Sequence, residues 1–578
     1  MAAREGRHPA ASGRREGVPR ERLDEIAAEV VLDDGHILTL DPRRPVAAAL
    51  AIAGGRVVAT GSRAEVRRWR DRRTRVVNLR GATVIPGLVD AHAHLDREGL
   101  KSIYPSLARC RSIADVQAVI RRLAAERKPG EWIVTMPIGS PPFYQDAPGG
   151  LAEKRWPTRE ELDQAAPEHP VYIRGIWGYW NRPPVHSIAN SRALALAGVR
   201  RDTMPPKGVD IVRDAAGEPT GLFVEHNLIQ VLEFTLLRAV PRFTHADRLR
   251  ALRDSQRRYA MRGVTAVYEG HGIAPEVLSV YRETHAAGAL KLRCSLALSP
   301  TWTRAEAARA IPDVAAWAGG QGLGDGRLRV GGICLHYGGD AEVARILHAS
   351  QPYTGWAGFV ESANDGGAYR AQAELAARHG LRVNTLVTRC LPEVLDVWED
   401  LATRYPIRER RWVLVHLNAA TPEQLARIRR LGAVATTNPI SYLYRSAGDE
   451  VARLGGAAEQ LLPHRSLARQ RIAFGIATDN KPADPWVAFA AVVARRDMRT
   501  GVVVGPGERL TRAQALAALT HGGAAVTFAE RERGRLAPGW AADLAVLEHD
   551  PLTAPLEALV GQTARLTMVG GEVVWQHA

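Results

Sequence analysis

The chain has 578 residues, 46% of them hydrophobic and 24% charged, which is enough to bury a sizeable core in several domains or in one large barrel with appendages. Lys+Arg 77 against Asp+Glu 62 gives a formal charge of +15, but the arginines are scattered in pairs with no basic stripe interleaved with aromatics, which argues against a nucleic-acid partner. Four scattered cysteines exclude a disulfide framework and suit a reducing, cytoplasmic setting, and no apolar run of about 18 residues is present to span a membrane.

Residues 1–25 are polar and arginine-rich and read as a disordered N-terminus; Arg14-Arg15 has no apolar stretch after it that would make an export signal. Short apolar segments punctuated by glycine follow at 29–40, 48–53, 56–60 and 75–79, and the same texture returns over 536–547 and 567–575. Two strand-rich ends around a long middle predict one small β-sandwich domain built from both termini, over 26–83 and 531–578.

The middle alternates apolar strands with amphipathic helices, the pattern of βα units around a parallel sheet. Eight strands are predicted at 84–95, 264–269, 290–298, 328–336, 382–387, 412–417, 433–437 and 472–478, with helices such as 370–379, 392–402 and 422–431 between them. The expected fold class is α/β, a TIM-type (β/α)8 barrel whose active site lies at the C-terminal ends of its strands. Its first strand occupies 84–96 and the rest 263–530. The intervening 97–262 is far too long for one crossover and predicts an inserted subdomain over the barrel mouth, with helices at 113–125, 159–165 and 192–196.

The strongest chemical signal is the run from Ile85 to His94, Ile-Pro-Gly-Leu-Val-Asp-Ala-His-Ala-His. His92 and His94, two apart on a strand, face the same side and make a natural chelate for a divalent transition metal. Other predicted strand ends also finish in polar groups: Cys334 and His336 on the fourth, Asn384 on the fifth, His416 on the sixth, Asn438 on the seventh and Asp479 on the eighth. A barrel strand has no packing reason to end this way, and together these residues predict a metal site.

These motifs resemble the amidohydrolase superfamily, specifically its YtcJ-like, amidohydrolase-3 branch. The resemblance runs from about residue 28 onward through Pro86–His94 and the segments 130–133, 157–163, 169–173, 190–199, 217–222, 510–520 and 534–551. It implies that His92, His94 and Asp479 bind the metal, and that Asp479 also takes a proton from the attacking water. Two departures stand out. Asn384 replaces the branch's fifth-strand histidine, and Cys334 stands where many members place a fourth-strand lysine that, when carboxylated, bridges two metals. The six lysines are Lys101, Lys128, Lys154, Lys207, Lys291 and Lys481. Only Lys291 falls on a predicted barrel strand, at its wrong end, so the expectation is one divalent ion, zinc first with iron or manganese as alternatives. Asn384, Cys334 and His336 are its candidate additional ligands.

The expected activity is a metal-dependent hydrolase cleaving a non-peptide C–N bond of an amide, formamide or cyclic amide. It would use metal-activated water, Asp479 as general base and His416 as a donor to the developing charge. The alternative is a non-hydrolytic lyase, decarboxylase or isomerase on the same fold, because Asn384 weakens the usual ligand set. Large aromatics in the insertion, among them Trp132, Phe143, Tyr144, Trp156, Trp177, Tyr179 and Trp180, suggest a small apolar or aromatic substrate. Glu269, Asn438, Tyr442 and Trp177 are the candidate substrate contacts, and His271 could also reach the site from the loop after the second strand. A homodimer is left open, and neither nucleic acid nor membrane is expected as a partner.

Overall fold

The computed structural model describes residues 27–177, 183–299, 303–350, 355–356 and 363–577. The expected N-terminal segment 1–25 and the aromatics Tyr179 and Trp180 lie outside them. Eight parallel strands follow one another around a barrel: Leu88–Asp90, Val264–Ile273, Arg293–Leu298, Leu328–Cys334, Val383–Leu386, Val413–Val415, Val434–Thr437 and Phe474–Ile476. Last meets first through Ala91 N donating to Ile476 O at 3.2 Å and Asp479 N donating to His92 O at 3.0 Å. Most strand residues are buried, as expected for a parallel sheet covered by helices.

Local chemistry explains why the helices fall where they do. Pro422–Leu431 starts with a Thr421–Gln424 capping box and a proline in its first turn, and it stops at Gly432 in the left-handed conformation. Ile113–Ala125 and Arg159–Ala165 open on capping boxes from Ser112 with Asp115 and from Thr158 with Glu161.

The first barrel strand differs from expectation. The run predicted as one strand over 84–95 belongs to two sheets. Thr83–Pro86 pairs with Leu544–Leu547 in the terminal domain, and only Leu88–Asp90 is barrel. The pivot is Gly87, whose N–H donates to Asp543 O at 2.8 Å. A Cβ there would sit 2.2 Å from the Thr265 hydroxyl, so the chain can turn between sheets only without a side chain. The predicted strand 29–40 likewise splits into Val30–Asp33 and His36–Leu38 in different sheets, across a turn with Asp34 at φ 61°.

Those two sheets, of four and six strands, enclose Leu32, Ile37, Leu50, Ile52, Val84, Leu544 and Met568. Both chain ends contribute, and this sandwich is clamped to the barrel by Arg293, which pairs with both oxygens of Asp543 at 2.7 and 2.8 Å. The insertion after the first barrel strand holds its own five-stranded sheet, ordered Val209–Arg213, Pro219–Glu225, Val185–Ala189, Val171–Ile173 and Ile133–Thr135. Its core includes Trp177 and Leu100, and it is continuous with Ala251 of the helix His245–Met261, Ala274 just after the second barrel strand and Leu347 of the helix Ala341–Ala349. Among the described residues, no helix is long and apolar enough to cross a membrane.

Candidate metal centre

Five side chains from four strand ends converge at the mouth: His92, His94, His271, His416 and Asp479. Ligand-capable atoms of His92, His94 and His271 all lie within 4.8 Å of one another, and those of His92, His416 and Asp479 do the same. His92 belongs to both groups. It is fully buried, yet neither ring nitrogen has a hydrogen-bond partner among the described residues. Orphaned polar atoms at that depth cost about 1–3 kcal/mol each unless something occupies the space between them.

His92 and His94 lie just past the last paired residue of the strand rather than within it, their rings 4.8 Å apart and nearly perpendicular. The peptide is held there by Asp90, which accepts from His92 N at 3.2 Å, Thr478 N at 3.0 Å and the Thr478 hydroxyl at 2.5 Å. Asn480 adds a second tie, accepting from His94 N at 2.7 Å. His416, Asp479 and Asn480 all adopt positive φ, at 58°, 52° and 57°. Non-glycine residues take this conformation only when their surroundings enforce it, and functional sites are where such strain collects.

The second strand runs to Ile273, past the loop expected after Glu269, so Glu269 and His271 are strand residues. Its pairing with the third strand is irregular between Glu269 and Ile273. Gly272 there has φ 83°, and a Cβ would lie 2.8 Å from the Leu298–Ser299 backbone. This bulge turns His271 inward to form one of the two triads. His271, expected in the loop after the second strand, is instead a buried strand residue, and the flanking Gly270 and Gly272 were the available signal.

Electrostatics favour an occupant of positive charge. Burial, reinforced by neighbouring imidazoles, holds His92 and His271 well below the ordinary histidine value. Burial lowers His336 and His416 to about 4. These rings are therefore neutral at pH 7, with lone pairs to offer. Burial pushes the Asp479 carboxyl up, but Lys481, His416 and His94 outweigh it and hold Asp479 well below the usual carboxylate range. Neutral imidazoles around one carboxylate are the donor set of a divalent transition metal, and the residues present fit one.

The remaining expected residues divide. Glu269 contacts His94, not the open site: its oxygens lie 3.0 and 2.8 Å from His94 Nδ1. Asn438 Nδ2 donates to Asp479 Oδ2 at 2.9 Å. His336 Nε2 lies 3.2 Å from His271 Nε2, and Cys334 Sγ lies 3.9 Å from His336, but neither belongs to a triad. Asn384, the expected additional ligand, has its Oδ1 accepting from the Tyr268 hydroxyl at 2.8 Å, which uses one of that oxygen's two lone pairs. Trp177 is buried with its ring 6.1 Å from His94 and 4.9 Å from the Arg97 guanidinium. Tyr442 is half-buried beside the site, and its hydroxyl is raised by burial and by the Asp479 charge.

Two residues at the site were not among its sequence-predicted members. Arg97 Nη2 lies 2.7 Å from His94 Nδ1 and 3.3 Å from Glu269 Oε2. Lys481, which the sequence placed merely past the eighth strand, sits with its ammonium 2.5 Å from Asp479 Oδ2. Volume does not mark the site. A cavity of about 1020 Å³ lies in the terminal sandwich along 75–82 and the C-terminal strands, remote from every histidine of the cluster.

The comparisons place the whole chain. The model of the amidohydrolase family matches residues 75–575. Protein LONG AFTER FAR-RED 3 of Arabidopsis thaliana is 25% identical over 95% of this chain and 92% of its own length. YtcJ of Bacillus subtilis (strain 168) is 23% identical over 94% and 99%. The N-substituted formamide deformylase of Arthrobacter pascens is 31% identical, but over only 34% of each chain. The crystal structure of an uncharacterized metal-dependent hydrolase from Pyrococcus furiosus superposes with a TM-score of 0.66, at 25% identity, covering 91% of this chain and all of that one. The chain belongs to the amidohydrolase family and is a hydrolase acting on C–N bonds.

Proposed function

We propose that the enzyme hydrolyses a non-peptide C–N bond in a small amide, formamide or cyclic amide, with one divalent metal, zinc first, held by His92, His94, His271 and Asp479. The observation that carries this is His92, which both triads share and whose buried ring nitrogens have no hydrogen-bond partner among the described residues. When bound, the metal supplies a Lewis acid that acidifies water and polarises the scissile carbonyl.

The chain's own groups do the rest. Asp479 Oδ1 lies 2.9 Å from His94 Nε2, on the metal side, while Oδ2 points towards His416 at 3.8 Å. The Asp479 carboxylate takes the proton from the attacking water and returns it to the leaving nitrogen. His416 Nε2, buried and without a hydrogen-bond partner among the described residues, is placed to steady charge developing on the substrate. Trp177, with its ring 6.1 Å from His94, and Tyr442, close enough to feel the Asp479 charge, set aromatic rings beside the site, which suits an apolar or aromatic substrate. The similarity to the formamide deformylase supports starting with N-substituted formamides.

The test is turnover of a panel of N-substituted formamides, amides and cyclic amides in heavy-oxygen water. Hydrolysis requires a product that carries solvent oxygen; product formed without it supports the lyase or isomerase alternative.

A further inference from the structure

Two overlapping triads raise the question of how many ions the centre takes. We propose that the Lys481 ammonium stands where a second metal ion would bind Asp479, and so restricts the centre to one ion. This rests on the metal reading above.

The geometry divides Asp479 between two neighbourhoods. Oδ1 faces His94 Nε2 at 2.9 Å and His92 Nε2 at 3.8 Å. Oδ2 faces Lys481 Nζ at 2.5 Å and Asn438 Nδ2 at 2.9 Å. The first side adjoins the His92–His94–His271 triad. The second is the side on which His416 would complete the other triad, with its Nε2 3.8 Å from Oδ2. A cation is already there. Lys481 is 8% exposed, and its backbone is tied down by its N–H donating to Thr478 O at 3.2 Å. A divalent ion on Oδ2 would meet this ammonium within a few ångströms in a poorly screened interior, where like charges repel by several kcal/mol at an effective dielectric near 20.

The other lysines do not offer a bridging group. Lys291 pairs with Glu572 of the terminal domain at 2.6 Å, Lys207 with Asp340 at 2.6 Å, and Lys101 with Glu98 at 2.7 Å. Lys154 donates to Gly149 O at 2.6 Å, and Lys128 is exposed in the insertion. The scarce lysines thus bear on metal count twice. None stands on the fourth barrel strand to bridge two ions, and one occupies the carboxylate oxygen that a second ion would need.

The experiment measures zinc per chain and zinc affinity, by chelator competition, in full-length wild type, Lys481→Met and Lys481→Arg. Wild type and Lys481→Arg are expected to hold one zinc. Lys481→Met is expected to hold that zinc at least about tenfold more tightly and to take up a second, weaker equivalent. X-ray absorption of zinc-loaded wild type, which needs no variant to fold, is expected to show no metal neighbour at about 3.5–4 Å. Two zinc ions per wild-type chain, or a folded Lys481→Met that binds zinc as wild type does, overturns the proposal while leaving the metal centre standing. No zinc in wild type under any loading overturns both.

Discussion

Glu269 Oε2 lies 2.8 Å from His94 Nδ1, on the face of the imidazole opposite Asp479. A carboxylate behind a ligating histidine fixes the ring's tautomer and turn, and presents Nε2 to the metal. Both groups are buried, and Glu269 with Asp479 raises His94 against the opposing effects of burial and Arg97. Glu269, expected from sequence as a substrate contact, is thus placed to orient His94. Glu269→Gln is expected to weaken zinc affinity about 10- to 100-fold in a chelator competition, with the fold intact by circular dichroism.

Asp479→Asn removes the proton acceptor while keeping the shape. It is expected to lower kcat about 10²- to 10⁴-fold, the usual span for general acid–base catalysis. Steady-state kinetics on the best substrate of the panel, with metal content measured alongside, separates lost proton transfer from lost metal.

Asn384 gives the opposite expectation. Its oxygen accepts from Tyr268, so Asn384→Ala leaves the buried Tyr268 hydroxyl proton without that acceptor and is expected to cost about 1–3 kcal/mol of stability in denaturant unfolding. Zinc per chain is expected to stay at the wild-type value, and a loss of zinc would restore Asn384 as a ligand.

Glu225 in the insertion predicts a pH dependence. Burial raises its carboxyl from the ordinary 4.5 to about 8, against backbone donation from Val231 and Leu232. The folded chain then keeps a proton that the unfolded chain releases. That contribution to stability is fully present below about 4.5 and is lost as pH climbs through about 8. Thermal melts between these limits are expected to fall less steeply with pH for Glu225→Gln than for wild type.

Much of this was legible in the sequence, for physical reasons. Barrel strands buried on both faces read as apolar runs, and helix starts such as Thr421 and Ser112 carry their caps in the sequence. The histidine pair, His416 and Asp479 stood out because polar groups interrupt those runs. What could not be read was direction. The split at Gly87 depends on Thr265, which lies far along the chain, and the bulge at Gly272 decides that His271 turns inward. Asn384 matched a ligand position by sequence, yet its partner Tyr268 is 116 residues away. Lys481 was counted, but only the fold puts it on Asp479.

The central claim is that the cluster around His92 binds a catalytic metal. Elemental analysis of purified wild type and His92→Ala tests it most directly, after both have been loaded with zinc and desalted. About one zinc per wild-type chain and almost none in a folded His92→Ala is the predicted result. Equal zinc in the two proteins, or none in wild type, would contradict it.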